Sequence, residues 1–272
     1  MSILREMLSY SFLVRALTVG VLVSLCSALL GVPLVLKRYS MIGDGLSHVG
    51  FGALAAAAAL NAAPLAVAIP VVVAAAFLLL RLSSAGRIRG DAAIAMISTG
   101  SLALGVIVIS LSTGMNTETG NYLFGSILAM SEGDVRLSLG ITAAVLLLFI
   151  VFYNPIFAVT FDETFARATG TPAGACNALL SLLTALTVVV GMRMMGSLLI
   201  SGLVIFPALS AMRLCRQFRH VIICASVLSV CCFIIGTVIS YALAIPTGAS
   251  VVCVNILVLL GCYGLGRLRE RG

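Results

Sequence analysis

This chain carries very little charge: Asp, Glu, Lys and Arg make up 9% of its 272 residues, while hydrophobic residues make up 61%. A soluble domain is excluded, because a surface of that composition lacks the polar groups to meet water. Lysine is scarcer still. The single lysine, Lys37, is followed by Arg38, so no G-x-x-x-x-G-K-[ST] phosphate loop exists in the chain, and any ATP hydrolysis must come from another polypeptide. The eight cysteines contain no C-x-x-C pair, and adjacent Cys231 and Cys232 point to different helix faces, which argues against a thiolate metal site. They lie almost entirely in apolar runs, where cysteine behaves as a small hydrophobe. Of the two histidines, His220 sits beside Arg219 at a helix end, with no nucleophile, base and orienting residue to assemble around it. An enzyme is therefore not expected.

What remains is apolar sequence with a mean hydropathy of +1.22. Spans of about 20 residues suit a hydrocarbon core of about 30 Å, and nine are expected near 14–36, 39–60, 63–82, 91–113, 137–154, 174–195, 197–213, 220–242 and 249–266. The fold class is all-α, a polytopic integral membrane helical bundle. The segment Tyr122 to Met130 is too short to span and suits a re-entrant or interfacial piece. Arg5 and Arg15 precede a run too long for a signal peptide, so the first span is expected to be retained. With no linker or internal repeat, residues 1–272 read as a single transmembrane domain.

In a soluble chain a net charge of +7 would suggest nucleic acid; here it reports topology. Alternate loops hold twelve of the sixteen Lys and Arg residues: Lys37 and Arg38; Arg81, Arg87 and Arg89; Arg167; Arg213, Arg216 and Arg219; Arg267, Arg269 and Arg271. The positive-inside rule then puts the C-terminus in the cytoplasm and the N-terminus outside, in a plasma or inner membrane. The outer side carries Glu118, Glu132 and Asp134, a candidate docking surface for an extracytoplasmic protein or simply solvated acids.

Asp44 and His48 stand four residues apart inside the second span. An ionisable group at bilayer depth costs roughly 2.5–3.5 kcal/mol on insertion scales and usually marks a solute path. Positions i and i+4 share a helix face, so carboxylate and imidazole can reach one ion. Ser47 is a candidate path-lining residue, and Gly43, Gly45, Gly50 and Gly52 allow close helix approach. Hard oxygen with imidazole nitrogen suits Zn²⁺ and Mn²⁺, zinc first because such a set has a ready tetrahedral form. Two ligands make half a tetrahedral site. A second copy, packed about a two-fold axis with its own second helix facing, would supply the other half. Packing alone, with the two side chains bonded to each other and to neighbours, is the plain alternative.

Between the fifth and sixth spans, Val159 to Pro172 reads as a short helix. Thr160 can cap it, Asp162 and Glu163 suit its first turn, and Gly170 suits its end. Phe161, Phe165 and Ala166 are expected near one face, as in a docking helix or an interfacial helix on lipid. In the seventh span, small residues at 197, 201 and 208 accompany Pro207, which favours a kink.

Three passages, Tyr39-Ser-Met-Ile-Gly-Asp-Gly-Leu-Ser-His, Tyr122-Leu-Phe-Gly-Ser-Ile-Leu and Gly196-Ser-Leu-Leu-Ile-Ser-Gly-Leu-Val-Ile-Phe-Pro-Ala, resemble the membrane subunit of ATP-driven zinc and manganese importers, the metal-type ABC permease family. Asp162-x-x-x-Ala166-x-x-x-Gly170 is similar to that family's coupling helix. The resemblance implies a type II ABC importer-like fold and a homodimer in membrane lipid. It also implies two cytoplasmic ATPase subunits that use ATP and an extracytoplasmic metal-binding protein. No permanent cofactor is implied. Asp44 and His48 would meet the metal, and Phe161, Asp162, Glu163, Phe165, Ala166 and Gly170 the ATPase. The rival functions are a permease for a chelate (haem, cobalamin or a siderophore) and a stand-alone ion-coupled carrier with Asp44 as a proton relay.

Overall fold

The computed structural model describes residues 9–84, 90–112 and 132–271. Eleven helices follow in order: α1 Ser11–Leu36, α2 Ile42–Ala59, α3 Pro64–Ser84, α4 Gly90–Leu111, α5 Glu132–Val151, α6 Tyr153–Phe161, α7 Glu163–Ala168, α8 Ala173–Met195, α9 Ser197–Leu214, α10 Phe218–Leu243 and α11 Thr247–Arg271. The nine long ones answer to the nine expected spans. In lipid every backbone N–H and C=O must be satisfied within the segment, and long helices do this for apolar runs of such length. Tyr122 to Met130 and Glu118 lie outside the described residues.

Eight of the long helices are long and apolar enough to cross a membrane. The ninth, α2, carries Asp44, His48 and four glycines, and it is wrapped by α3, α4, α8 and α9. Its largest interface is with α4. That contact depends on Gly52, where a Cβ would stand 2.7 Å from the carbonyl oxygen of Ser101. The one long helix that falls short of a spanning composition is thus packed against four others.

The fifth span ends at Val151, and the chain turns through Phe152 into α6 rather than running on as one helix to 154. Between α8 and α9 a single residue, Gly196, makes the junction at φ 84 and ψ 163, a region open essentially to glycine alone. The abrupt joint lets two buried helices follow each other with no loop.

Ion pairs mark both ends of the bundle. At one end Arg15 of α1 meets Glu132 of α5 at 2.8 Å, and Arg193 of α8 approaches Asp134 at 3.9 Å. At the other, Lys37 after α1 meets Glu163 of α7 at 3.6 Å.

Candidate metal path and coupling element

Asp44 lies in the first turn of α2, and its neighbour across the bundle stands well back from the Arg213 end of α9. Ser201, in the second turn of α9, shares its one hydroxyl proton between Asp44 Oδ1 at 3.3 Å and the carbonyl of Ser197 at 3.1 Å. Ser201 stands twelve positions before Arg213, which is roughly 18 Å of helix at about 1.5 Å per residue. The carboxylate therefore sits within the spanning part of the bundle.

His48 Nε2 is 3.7 Å from Asp44 Oδ2. That is too long for a hydrogen bond. Two ligands held about 2.1 Å from one ion at a tetrahedral angle stand about 3.4 Å apart, so a small closure would let both atoms share a cation. The other ring nitrogen, Nδ1, is buried with no hydrogen-bond partner among the described residues. A buried nitrogen without a partner carries a desolvation cost. The two side chains keep 39% and 23% of their surface open for Asp44 and His48 respectively. Between Ile42 and Ala57, the residues of α2 that are not buried are Asp44, His48, Gly52 and Ala56, one at every fourth position. Because i and i+4 share a face, these form a single strip along a helix otherwise enclosed, open at Asp44 and His48 and closed against Ser101 of α4 at Gly52. Ser201 meets the strip from α9.

Ser47 differs from the expectation. It is fully buried, and its hydroxyl donates to the Asp44 carbonyl at 2.7 Å, so it points into the packing rather than along the strip. A serine one position before His48 lies about 100° around the helix from it, which is enough to exchange open space for a neighbouring helix. Ser201 is the residue that sequence reasoning missed. It belonged to the small-residue pattern of the seventh span, but nothing local marked it as a partner of Asp44. Among the described residues no group of three or more His, Cys, Asp or Glu could hold a metal ion.

The expected coupling element is two helices rather than one. Phe161 closes α6, and Asp162, at φ −147 and ψ 98, breaks the chain and caps α7 by accepting the Phe165 N–H at 2.9 Å. Thr160 is not the cap; inside α6 its hydroxyl donates to the Ile156 carbonyl at 2.6 Å. The expected common face also divides. Phe161 and Phe165 are 60% and 65% exposed, whereas Ala166 is fully buried in a small cluster with Val159, Ala173 and Cys176. Ala166 is the anchor and the phenylalanines are the outward face. Gly170 ends α7 as expected: at φ +87 it donates to the Arg167 carbonyl at 3.1 Å, and Thr171 donates to Ala166 at 2.9 Å, a Schellman closure.

Glu163 ties α7 to the bundle. It accepts from Asn177 of α8 at 3.0 Å, pairs with Arg167 at 2.5 Å and lies 3.6 Å from Lys37, which also donates to Asn177. The Asn177 amide, then the Arg167 and Lys37 charges, hold the Glu163 carboxyl below its ordinary range, against partial burial that would raise it. Lys37 is shifted down, chiefly by burial, with Glu163 opposing. A cavity of about 280 Å³ lies beside this bridge, lined by Lys37, Glu163 and Asn177 on one side and Ile42, Gly90 and Ile94 on the other. Lys37 is five residues before Ile42, so the bridge reaches from α7 to the turn that starts the Asp44–His48 helix.

Of the acids expected on the outer side, Glu132 stays 66% exposed although it pairs with Arg15, and Asp134 is turned toward Arg193 with 21% exposed.

Comparison with known proteins agrees with this architecture. The manganese transport system membrane protein MntC of Halalkalibacterium halodurans is 32% identical over 92% of this chain and 85% of its own length. The manganese import system permease protein ScaB of Streptococcus gordonii is 28% identical over 92% and 90%. The solved structure of PsaBC from Streptococcus pneumoniae in complex with Fab superposes with a TM-score of 0.85 at 28% identity, covering 96% of this chain and 94% of that one. Residues 9–264 match the ABC 3 transport family, and the chain belongs to that family.

Proposed function

We propose that this chain is the membrane permease of an ATP-driven importer for divalent transition-metal ions, manganese before zinc and iron. The observation that carries the reading is the convergence of Asp44, His48 and Ser201 on one open strip of an otherwise enclosed helix. The carboxylate and hydroxyl oxygens outnumber the imidazole. Oxygen-weighted donors suit Mn²⁺ better than the mixed pair that put zinc first on the sequence alone. The two named relatives are described as manganese transporters. Zinc still binds most such donor sets more tightly, so an incomplete set of weak ligands releases the ion where a closed site would hold it.

The strip is open in the single chain, and a second copy facing it would complete a set of two carboxylates and two imidazoles. ATP is bound and hydrolysed by two partner subunits that receive the exposed Phe161 and Phe165. The Glu163–Asn177–Lys37 bridge links that contact to the start of α2. An extracytoplasmic metal-binding protein delivers the ion at the Glu132 end. The arginine-rich loops face the cytoplasm, with the N-terminus outside. The separation of the Arg15–Glu132 and Lys37–Glu163 pairs to opposite ends of the bundle supports this.

The test is metal accumulation in cells lacking the gene and restored with wild type, Asp44→Ala or His48→Ala at matched membrane levels. Restoration of manganese by wild type alone supports the reading. Equal restoration by all three would make the pair a packing feature and sink it.

A further inference from the structure

On the flank away from the Asp44–His48 strip, α5 and α10 both pack on α1 and leave a cleft of about 480 Å³ between them. Its floor is Leu29 of α1, and its walls are Phe149 and Ile150 of α5 with Ile222 and Ile223 of α10. The cleft is open sideways: Ile150 and Ile223 are 69% and 53% exposed, and the same surface continues through Leu147 and Val227 at 64% and 57%. Both helices are apolar spans, so this side faces hydrocarbon and its natural occupant is an acyl chain rather than water.

One end of the cleft has different chemistry. Arg219, Asn154 and Tyr153 line it, and no aspartate or glutamate does. Arg219 stands in the first turn of a spanning helix with no ion pair among the described residues. Tyr153 is held in place by the Phe218 ring, with centroids 5.8 Å apart. A guanidinium, an amide and a phenol all donate hydrogen bonds, and a phosphodiester offers only acceptors. Exposed Arg216 adds positive potential nearby, which disfavours a headgroup bearing its own ammonium.

We propose that this cleft binds an anionic glycerophospholipid, one acyl chain lying along α1 and the phosphodiester meeting Arg219. The site is separate from the transport path, and its test needs no metal and no ATPase partner. The full chain, purified in detergent, is offered phosphatidylglycerol or phosphatidylcholine with identical acyl chains, and retained lipid is counted by native mass spectrometry. One arginine near a membrane surface corresponds to about a fivefold preference for the anionic lipid, and that preference is expected in wild type. Arg219→Gln should bring it close to one, and Arg219→Lys should keep most of it. Ile223→Trp, which fills the cleft, should lower retention of both lipids. Arg136→Gln removes the same charge from an exposed position at the opposite end and should change nothing. Equal retention of both lipids by wild type overturns the proposal. So does an equal loss in Arg136→Gln, or an intact preference in Arg219→Gln.

Discussion

Ser201 and Asp44 are separated by 157 positions in the chain and by 3.3 Å in the fold. The hydroxyl of one spanning helix thereby orients the carboxylate of another, and it does so beside the only strip of α2 left open. If the carboxylate and imidazole carry the ion, Asp44→Asn and His48→Ala should each lower manganese uptake on the order of 10- to 100-fold. Ser201→Ala removes one long hydrogen bond of about 1 kcal/mol and should lower uptake about fivefold. Radiolabelled or fluorescent metal uptake into vesicles measures all three. A Ser201→Ala loss as deep as that of Asp44→Asn would promote Ser201 from an orienting group to a ligand.

Separating anchor from contact predicts distinct phenotypes along the proposed coupling element. Phe165 is 65% exposed and should be replaceable by Ala with no change in thermal unfolding of the isolated permease, while co-purification of the ATPase subunit falls sharply. Asp162→Ala removes the α7 cap and should cost about 1 kcal/mol locally. Faster amide hydrogen exchange over Glu163 to Ala168 would report it.

Close approach of α2 and α4 makes Gly52 sensitive and Gly100 tolerant. A Cβ at Gly52 meets the Ser101 carbonyl oxygen at 2.7 Å, whereas one at Gly100 meets nothing within 4 Å. Gly52→Leu is expected to destabilise by about 1–3 kcal/mol through overpacking. Gly100→Ala should be neutral, or stabilising by up to about 1 kcal/mol from helix propensity. Unfolding midpoints of the two variants in one detergent decide the matter.

Acid should loosen α7 through Glu163. Its carboxyl is held below the ordinary value of 4.5, first by Asn177 and then by Arg167 and Lys37. The folded state thus binds that proton less readily than the unfolded state, and the group's contribution is present above about pH 4.5 and lost as pH falls through the folded value. Glu163→Gln should be less stable than wild type at pH 7, with the gap closing below pH 4. A gap that does not narrow as pH falls below 4.5 would mean that shape rather than charge holds the bridge.

Much of this molecule was legible without coordinates, because membrane insertion is a strict local rule. Long apolar runs must become helices, so eight of the nine long helices and their order followed from hydropathy. The i, i+4 spacing of Asp44 and His48 likewise guaranteed a shared face. The coupling element was harder to read. Thr160, Asp162 and Phe161 are all plausible near a helix start, and only the break in backbone at Asp162 assigns the cap and places Phe161 on a different helix from Phe165.

What the sequence determined was therefore everything governed by the solvent and by neighbours within about one helical turn: the all-helical class, the pairing of Asp44 with His48, and the glycine end of α7. Tertiary structure decided which face of each helix looks outward. It buried Ser47 and left His48 open, brought Ser201 to Asp44, joined Lys37 to Glu163 through Asn177, and left a cleft between α5 and α10. Inside lipid all faces of a helix are similarly apolar, so periodicity carries little information about packing. The choice falls to the shape of small residues and to hydrogen bonds between segments far apart in the chain.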